Sequence, residues 1–405
     1  MTRTSAPPRR ETHVLVAGGG VAALETALAL RHLAAELVDV ELVAPELHFF
    51  YRPLAVAEAF GVGRTLRWEL ADLARAAGVD FTPGEVVGVE PDERVVRLRT
   101  GPALPYDVLV LACGARLHVA VPGALTFRGP ADVDGLRRLL GEIVRGEVER
   151  LVFAVPSGIV WPLPLYELAL LAAAELAEKG AAPELTLVTA EPAPLAIFGE
   201  PASEAVAAHL AERGIEILPM TYPVELTGQG LVTGRGSVVP ADRAVAAPRL
   251  SGPDIAGVPR DRNGFVRTDP HGRVTGLESV YAVGDMTAFP VKQGGLAAQQ
   301  ADAAAEAIAA RAGVALDPQP FRPVLRALLL GGGTPTYLRV ELGGRGESST
   351  ASDEPLWWPA GKIAGRHLGP FLAGLGAPDP PADTGDDVLR VEIESARAHM
   401  LGWPR

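Results

Sequence analysis

Three consecutive glycines, Gly18-Gly19-Gly20, follow the uninterrupted apolar run Val14-Leu15-Val16-Ala17 and precede Val21-Ala22-Ala23-Leu24-Glu25. Such a run reads as a buried parallel strand, and Leu24, Ala27 and Leu28 at helical spacing read as the helix that follows it. Strand, tight turn and helix in this order either hold a dinucleotide or, since loops are full of glycine, are an ordinary glycine loop. Gly18 lets the chain reverse, Gly20 removes the Cβ that would block a pyrophosphate, and Ala23 is small enough for helix to pack on strand. Amides exposed at the helix start, those of Val21 and Ala22 included, bind the phosphates.

Other residues with chemical capacity are few. Cys113 is the single cysteine, which excludes an intrachain disulfide and a cysteine-built metal site, and no metal centre is expected. After an apolar strand it is either inert packing or a redox group. Glu46 is the nearest carboxylate beyond a second strand, Val40-Glu41-Leu42-Val43, and is either the acceptor for an adenosine ribose or a solvated loop acid. His48-Phe49-Phe50-Tyr51-Arg52-Pro53 is too aromatic for a surface loop and too irregular for a strand, so it wraps a planar ligand or the core beneath one.

The elements that position these residues belong to a long, apolar, acidic chain. Its 405 residues suggest two or three domains at about 150 residues each. A hydrophobic fraction of 48% supports a large core, and a net charge of -12 argues against a nucleic-acid partner. The first ten residues lack the apolar core of a signal peptide, and no apolar run reaches the roughly 18 residues of a membrane span. A cytoplasmic protein, soluble or lying on a membrane, is expected.

Phe81–Arg99, with Val86, Val87, Val89, Val95, Val96 and Leu98 around Pro91-Asp92, alternates as strands of a meander. It leads into Tyr106-Asp107-Val108-Leu109-Val110-Leu111-Ala112-Cys113-Gly114-Ala115. At this point the chain resembles the FAD-dependent pyridine nucleotide-disulfide oxidoreductase superfamily, in which a strand of the form D-x-L-V-L-A-T-G returns to the flavin. Cys113 stands where threonine is usual. Ser279-Val280-Tyr281-Ala282-Val283-Gly284-Asp285 looks like the family's second FAD motif, whose Gly-Asp holds the ribityl and phosphate part. Pro290-Val291-Lys292-Gln293-Gly294-Gly295-Leu296 then opens an alanine-rich helix whose amino end, by resemblance, points at the flavin pyrimidine ring, with Lys292 nearby.

The resemblance implies an α/β fold with two Rossmann-type domains, the FAD domain split in sequence by the inserted second one. It gives FAD-binding parts at 11–127 and 240–316, an inserted domain at 128–239, a flavin-covering segment at 317–375, and a linker with a short terminal element at 376–405. It further implies non-covalent FAD held by Gly18, Gly20, Val21, Ala22, Ala23, Glu46, Arg52, Val87, Ala112, Cys113, Gly114, Gly284, Asp285, Lys292, Gly294, Gly295 and Leu296.

The inserted domain departs from the pyridine nucleotide-dependent members, which carry a second glycine fingerprint there. This chain has Val155-Pro156-Ser157-Gly158-Ile159-Val160-Trp161-Pro162-Leu163-Pro164-Leu165-Tyr166-Glu167. Only Gly158 remains, and Trp161-Pro162-Leu163 puts bulk where a pyrophosphate needs backbone access. A degraded fingerprint ending in P-x-Y-E is similar to the sulfide:quinone oxidoreductase-like branch, whose chemistry uses at least two cysteines near the flavin. Here Trp161 takes the place of one, so that thiol machinery does not carry over. Trp161 is either a core residue at the domain seam or a wall of the cavity over the flavin.

Phe321–Leu342 reads as a helix or strand, a Gly331-Gly332-Gly333 turn and a strand at Tyr337–Leu342. Ala364, Leu368, Phe371, Leu372 and Leu375 share one helical face, which Pro370 splits. This segment, with Trp358 before it, either closes the core or, as in the quinone-reducing relatives, covers the flavin and touches the inner face of the membrane. The expected function is an FAD-dependent oxidoreductase moving electrons from a small-molecule donor to an acceptor, with a quinone as candidate and Lys292, Trp161 and Trp358 as candidate catalytic residues. NAD(P) is a doubtful second cofactor. An NAD(P)H-dependent flavin reductase and a flavin-binding protein with a structural or docking role are the alternatives.

Overall fold

The computed structural model describes residues 11–159, 161–343 and 349–376; the expected terminal element at 376–405 lies, beyond Gly376, outside them. Two parallel five-stranded sheets carry the α/β architecture. The first runs in the order Val280–Ala282, Val108–Leu111, Thr12–Ala17, Val38–Ala44, Asp80–Pro83, all strands parallel. Val14, Leu15, Val16 and Ala17 are fully buried, as a central parallel strand covered on both faces requires. Helices Val21–Ala34 and Gly294–Ala312 pack on one face through Ala22, Ala23, Ala27, Ala297, Ala304 and Ala305, side chains small enough for close approach. Val280–Ala282 pairs with Val108–Leu111 from more than 160 residues away, which is the split expected of the first domain.

The second sheet runs Leu125–Thr126, Arg243–Ala246, Arg150–Val155, Glu184–Thr189, Ile215–Leu218. It moves the expected boundaries. Arg243–Ala246 pairs with Leu151–Ala154, so the limit at 239/240 falls one strand short, and Leu125–Thr126 extends the same sheet on the other side of 127/128. Four-residue and two-residue strands carry no period long enough to reveal their sheet; only pairing assigns them.

Two further expectations, for His48–Pro53 and for the last helix, are corrected, and the open one at Phe321–Leu342 resolves to strand. His48–Phe50 is a short strand, paired antiparallel with Arg67–Glu69, followed by a 3-10 turn at Arg52–Leu54. Phe321–Leu342 holds two strands, Val324–Leu329 and Thr336–Glu341, joined with Thr350–Ser352 in an antiparallel sheet. The last helix begins only at Leu368 and runs unbroken to Leu375, because Pro370 sits in its first turn, where the missing N–H has no intrahelical partner to lose. No helix among the described residues is long and apolar enough to cross a membrane.

Candidate functional site

A cavity of about 580 Å³ opens at the carboxyl ends of the first sheet's strands, where ligands of open α/β sheets bind. Gly18, Gly20, Val21 and Ala22 line it from the first turn, and Glu46 and Arg52 from the segment after the second strand. Ala112, Cys113, Gly114, Gly284, Asp285 and Gly294, also expected, line it too. The glycines have separate reasons. Gly18 has φ of +138°, and a Cβ there would meet the Ala112 carbonyl oxygen at 2.3 Å, so this glycine lets the turn and the neighbouring strand approach. A Cβ at Gly20 would meet nothing within 4 Å, because that position faces open space beside the helix start.

The charges suit a dinucleotide. The Arg52 side chain makes no hydrogen bond to the described residues, and the residue borders the same cavity as the first turn. Asp285 likewise has no hydrogen-bond partner among the described residues; burial pushes its carboxyl up, against Lys292 and Arg52. Its turn is held by Gln300, whose Oε1 accepts from Gly284 N at 2.7 Å and from Thr287 Oγ1 at 3.3 Å. Gln293 caps the helix Gly294–Ala312 by accepting from Leu296 N at 2.8 Å, while Gly294 and Ala297 turn to the cavity. A cavity with an uncrowded glycine turn, an unpaired guanidinium and an unpaired carboxyl fits FAD.

Seven expected residues lie elsewhere. Ala23 and Leu296 are buried in helix packing, Gly295 is buried, and the Val87 carbonyl accepts from Ala256 N at 3.0 Å while Glu85 and Val86 face the cavity instead. Lys292 is drawn away: its Nζ donates to the carbonyls of Thr287 and Phe289 and lies 3.9 Å from the Phe265 ring centroid. Burial pulls it down to about 8 against Asp285 and Asp261. Trp161 packs on Phe198, ring centroids 6.0 Å apart, and Trp358 is 52% exposed, so none of the three candidate catalytic residues lines the cavity.

The segment that closes it lies within the expected flavin-covering stretch 317–375, but the sequence singled out none of the residues that fasten it. Ile363 lines the cavity, and its amide donates to the Tyr51 hydroxyl at 2.9 Å. The adjacent Lys362 pairs with Glu167, both side chains at most 4% exposed, and Glu167 also accepts from Leu330 N at 2.9 Å. Burial pushes the Glu167 carboxyl up, and the Lys362 ammonium opposes that rise. Lys362→Met should cost about 3–5 kcal/mol by leaving a buried carboxylate alone, and Glu167→Gln added to it should recover most of the loss. Thermal unfolding of the single and double variants measures both.

The family comparison decides what the cavity belongs to: the sequence profile of the pyridine nucleotide-disulphide oxidoreductases matches residues 12–307. The chain belongs to that family. It is an FAD-dependent oxidoreductase. It is 25% identical to the sulfide-quinone reductase of Aquifex aeolicus over 298 residues, 69% of each chain. It is 28% identical to the type II NADH:quinone oxidoreductase of Mycobacterium tuberculosis over 330 residues, 70% of this chain and 69% of that one. Among solved structures, the Aquifex aeolicus sulfide:quinone oxidoreductase superposes with a TM-score of 0.77 at 21% identity, covering 84% of this chain and 87% of that one.

This family's redox cysteine chemistry has little footing here. Cys113 lines the cavity and is exposed to it, and its Sγ donates to the Ala17 carbonyl at 3.3 Å. A lone thiol has no second thiol to form a disulfide with, so it cannot cycle as a dithiol. Cys113→Ser should leave flavin turnover within a few fold of wild type, read as the steady-state rate per bound FAD.

Proposed function

We propose that this enzyme takes two electrons at FAD from a small-molecule donor and passes them to a quinone. The observation that carries the reading is the strap at 357–376. Its Ile363 forms part of the cavity wall, while Trp358 and Leu375 expose 52% and 45% of their surface, and Phe371 is half-buried. Exposed apolar side chains on the same segment that supplies part of the cavity wall are where a lipid-soluble acceptor would arrive. The names of the sulfide-quinone reductase and the type II NADH:quinone oxidoreductase support the same acceptor class.

The bound FAD supplies reversible two-electron chemistry. The chain's own residues bind and orient it: amides of the first turn and Arg52 take the pyrophosphate, Glu46 the adenosine ribose, and Asp285 the ribityl chain. The helix Gly294–Ala312 offers its positive end to the ring, favouring negative charge there. Ile363, held by the Tyr51 hydroxyl, walls one side of the cavity.

The donor is not handled by a thiol relay, since one cysteine cannot cycle as a dithiol. The test is anaerobic reoxidation of photoreduced enzyme by decylubiquinone in a stopped-flow instrument. Saturable reoxidation, with Trp358→Glu and Leu375→Glu each raising the half-saturating quinone concentration several fold, is expected. No reoxidation by quinone, alongside rapid reoxidation by ferricyanide, would exclude the quinone as acceptor.

A further inference from the structure

The strap is fastened to the cofactor domain at one cluster that the redox reading does not use. Glu25, in the helix Val21–Ala34, is fully buried, and its two oxygens accept from His367 N at 2.7 Å and Leu368 N at 2.8 Å, the first amides of the strap helix Leu368–Leu375. Asp302, from the helix Gly294–Ala312, faces Glu25 within hydrogen-bonding reach. One oxygen of each carboxyl and one ring nitrogen of His367 all lie within 4.8 Å of one another. Asp302 Oδ1 is buried without a hydrogen-bond partner among the described residues, and His367 Nε2 is 3.8 Å from it.

Two carboxyls cannot both ionise in such a place without a cation between them. Both Glu25 oxygens are already directed at strap amides, and a metal bound there would compete with them. A proton satisfies both demands: it sits on Asp302, is donated to Glu25, and leaves Glu25 charged for the amides. We propose that this shared proton is the catch of a pH-sensitive latch, which holds the strap and its Ile363 against the cavity and lets go as the proton is lost. The proposal rests on the reading of that cavity as the FAD site only for its consequence; the latch itself is a property of the strap.

The sign follows from the groups that face the cluster. From the first helix these are Glu25 and His32, from the second Asp302 and Glu306, and from the strap Arg366 and His367. Burial and the neighbouring Glu25 push the Asp302 carboxyl up to about 8, with Arg366 opposing and Glu306 adding. Arg366 is itself engaged by Glu306 at 3.3 Å. With the strap released, Asp302 returns towards an ordinary carboxyl near 3.9. The closed state therefore keeps a proton that the open state gives up. Opening becomes easier by up to about tenfold per pH unit up to pH 8 and changes no further above it.

His367 sets an opposing limb. Burial pulls its imidazole down, helped by His32, whose ring centroid lies 5.2 Å away, and by Arg366. Protonating it in acid also favours release, so closure is firmest between the two limbs.

Hydrogen exchange of the FAD-loaded protein tests this, read as the protection factor of the peptide covering 361–376 after correction for intrinsic exchange. Protection in wild type should fall from pH 6.5 to about 8 and then level. Asp302→Asn, which places a permanent donor beside Glu25, should remove that fall and keep the peptide protected at pH 9. Glu25→Gln should lower protection at every pH. Flavin absorbance recorded in parallel keeps failure of the FAD reading distinct, since the strap profile is measured whether or not FAD is retained. A flat wild-type profile, or the same fall in Asp302→Asn, overturns the proposal. So does one equivalent of tightly bound metal whose removal by EDTA abolishes protection, because a cation would then be the catch.

Discussion

Gly20→Glu should give a folded, colourless protein. The substituted residue is the N-cap of the helix Val21–Ala34, with φ of -94° and ψ of -168°, extended backbone that any residue adopts. Its Cβ would meet nothing within 4 Å, so the fold has no reason to fail. The new carboxylate projects into the cavity beside the amides that receive a pyrophosphate. A like charge about 4 Å away costs on the order of 4 kcal/mol at an effective dielectric near 20, a loss of affinity of roughly a thousandfold. FAD released by denaturation should drop to a small fraction of one per chain, while the circular dichroism spectrum stays that of wild type. Full FAD occupancy in this variant would sink the assignment of the opening turn. Gly18 offers no equally clean test, because any Cβ there strikes the Ala112 carbonyl and the effect on folding would mask the effect on the cofactor.

Those two glycines also show what the sequence discloses. The turn after Ala17 was legible because its chemistry is local: an apolar strand, a turn demanding positive φ at Gly18, and a helix start within a dozen residues. Gly284-Asp285 was legible for the same reason. Lys292 sits in an equally recognisable stretch, yet its side chain folds back to two carbonyls of its own loop, a choice made by burial near Phe265 that no spacing encodes. The fastening of the strap was hidden more completely. Its anchors join Glu25 to His367, Tyr51 to Ile363 and Glu167 to Lys362, pairs separated by about 200 to 340 positions along the chain. Glu25 reads in sequence as one more residue of an amphipathic helix. Only the folded chain shows that this buried acid serves as the cap for another element.

Neither NADH nor NADPH should reduce this flavin efficiently. A nicotinamide that reaches the ring needs its pyrophosphate held by the turn of the second sheet, between Arg150–Val155 and the helix Leu163–Glu178. Gly158, with φ of +81°, is the one glycine left in that turn. Pro162 is the N-cap of the helix and Pro164 lies in its first turn, so two amides that could have met phosphate are missing. Trp161, packed on Phe198, fills space beside them. The acid just past Glu184–Thr189, where a ribose would be recognised, is committed as well: Glu191 accepts from the Tyr166 hydroxyl at 2.7 Å and from Thr189 Oγ1 at 3.0 Å. Burial pushes the Glu191 carboxyl up, with those two donors opposing, and pushes the Tyr166 phenol up further. Two lost hydrogen bonds to a charged phosphate, at roughly 1.5–3 kcal/mol each, weaken binding by about two to four orders of magnitude. Half-saturation by either nucleotide should therefore lie in the millimolar range in anaerobic stopped-flow traces of flavin bleaching. The similarity to a type II NADH:quinone oxidoreductase makes the opposite result concrete. Bleaching within milliseconds at micromolar NADH would mean that the nucleotide is held without this turn, and the NAD(P)H-dependent reductase would replace the present reading of the donor while leaving the quinone side intact.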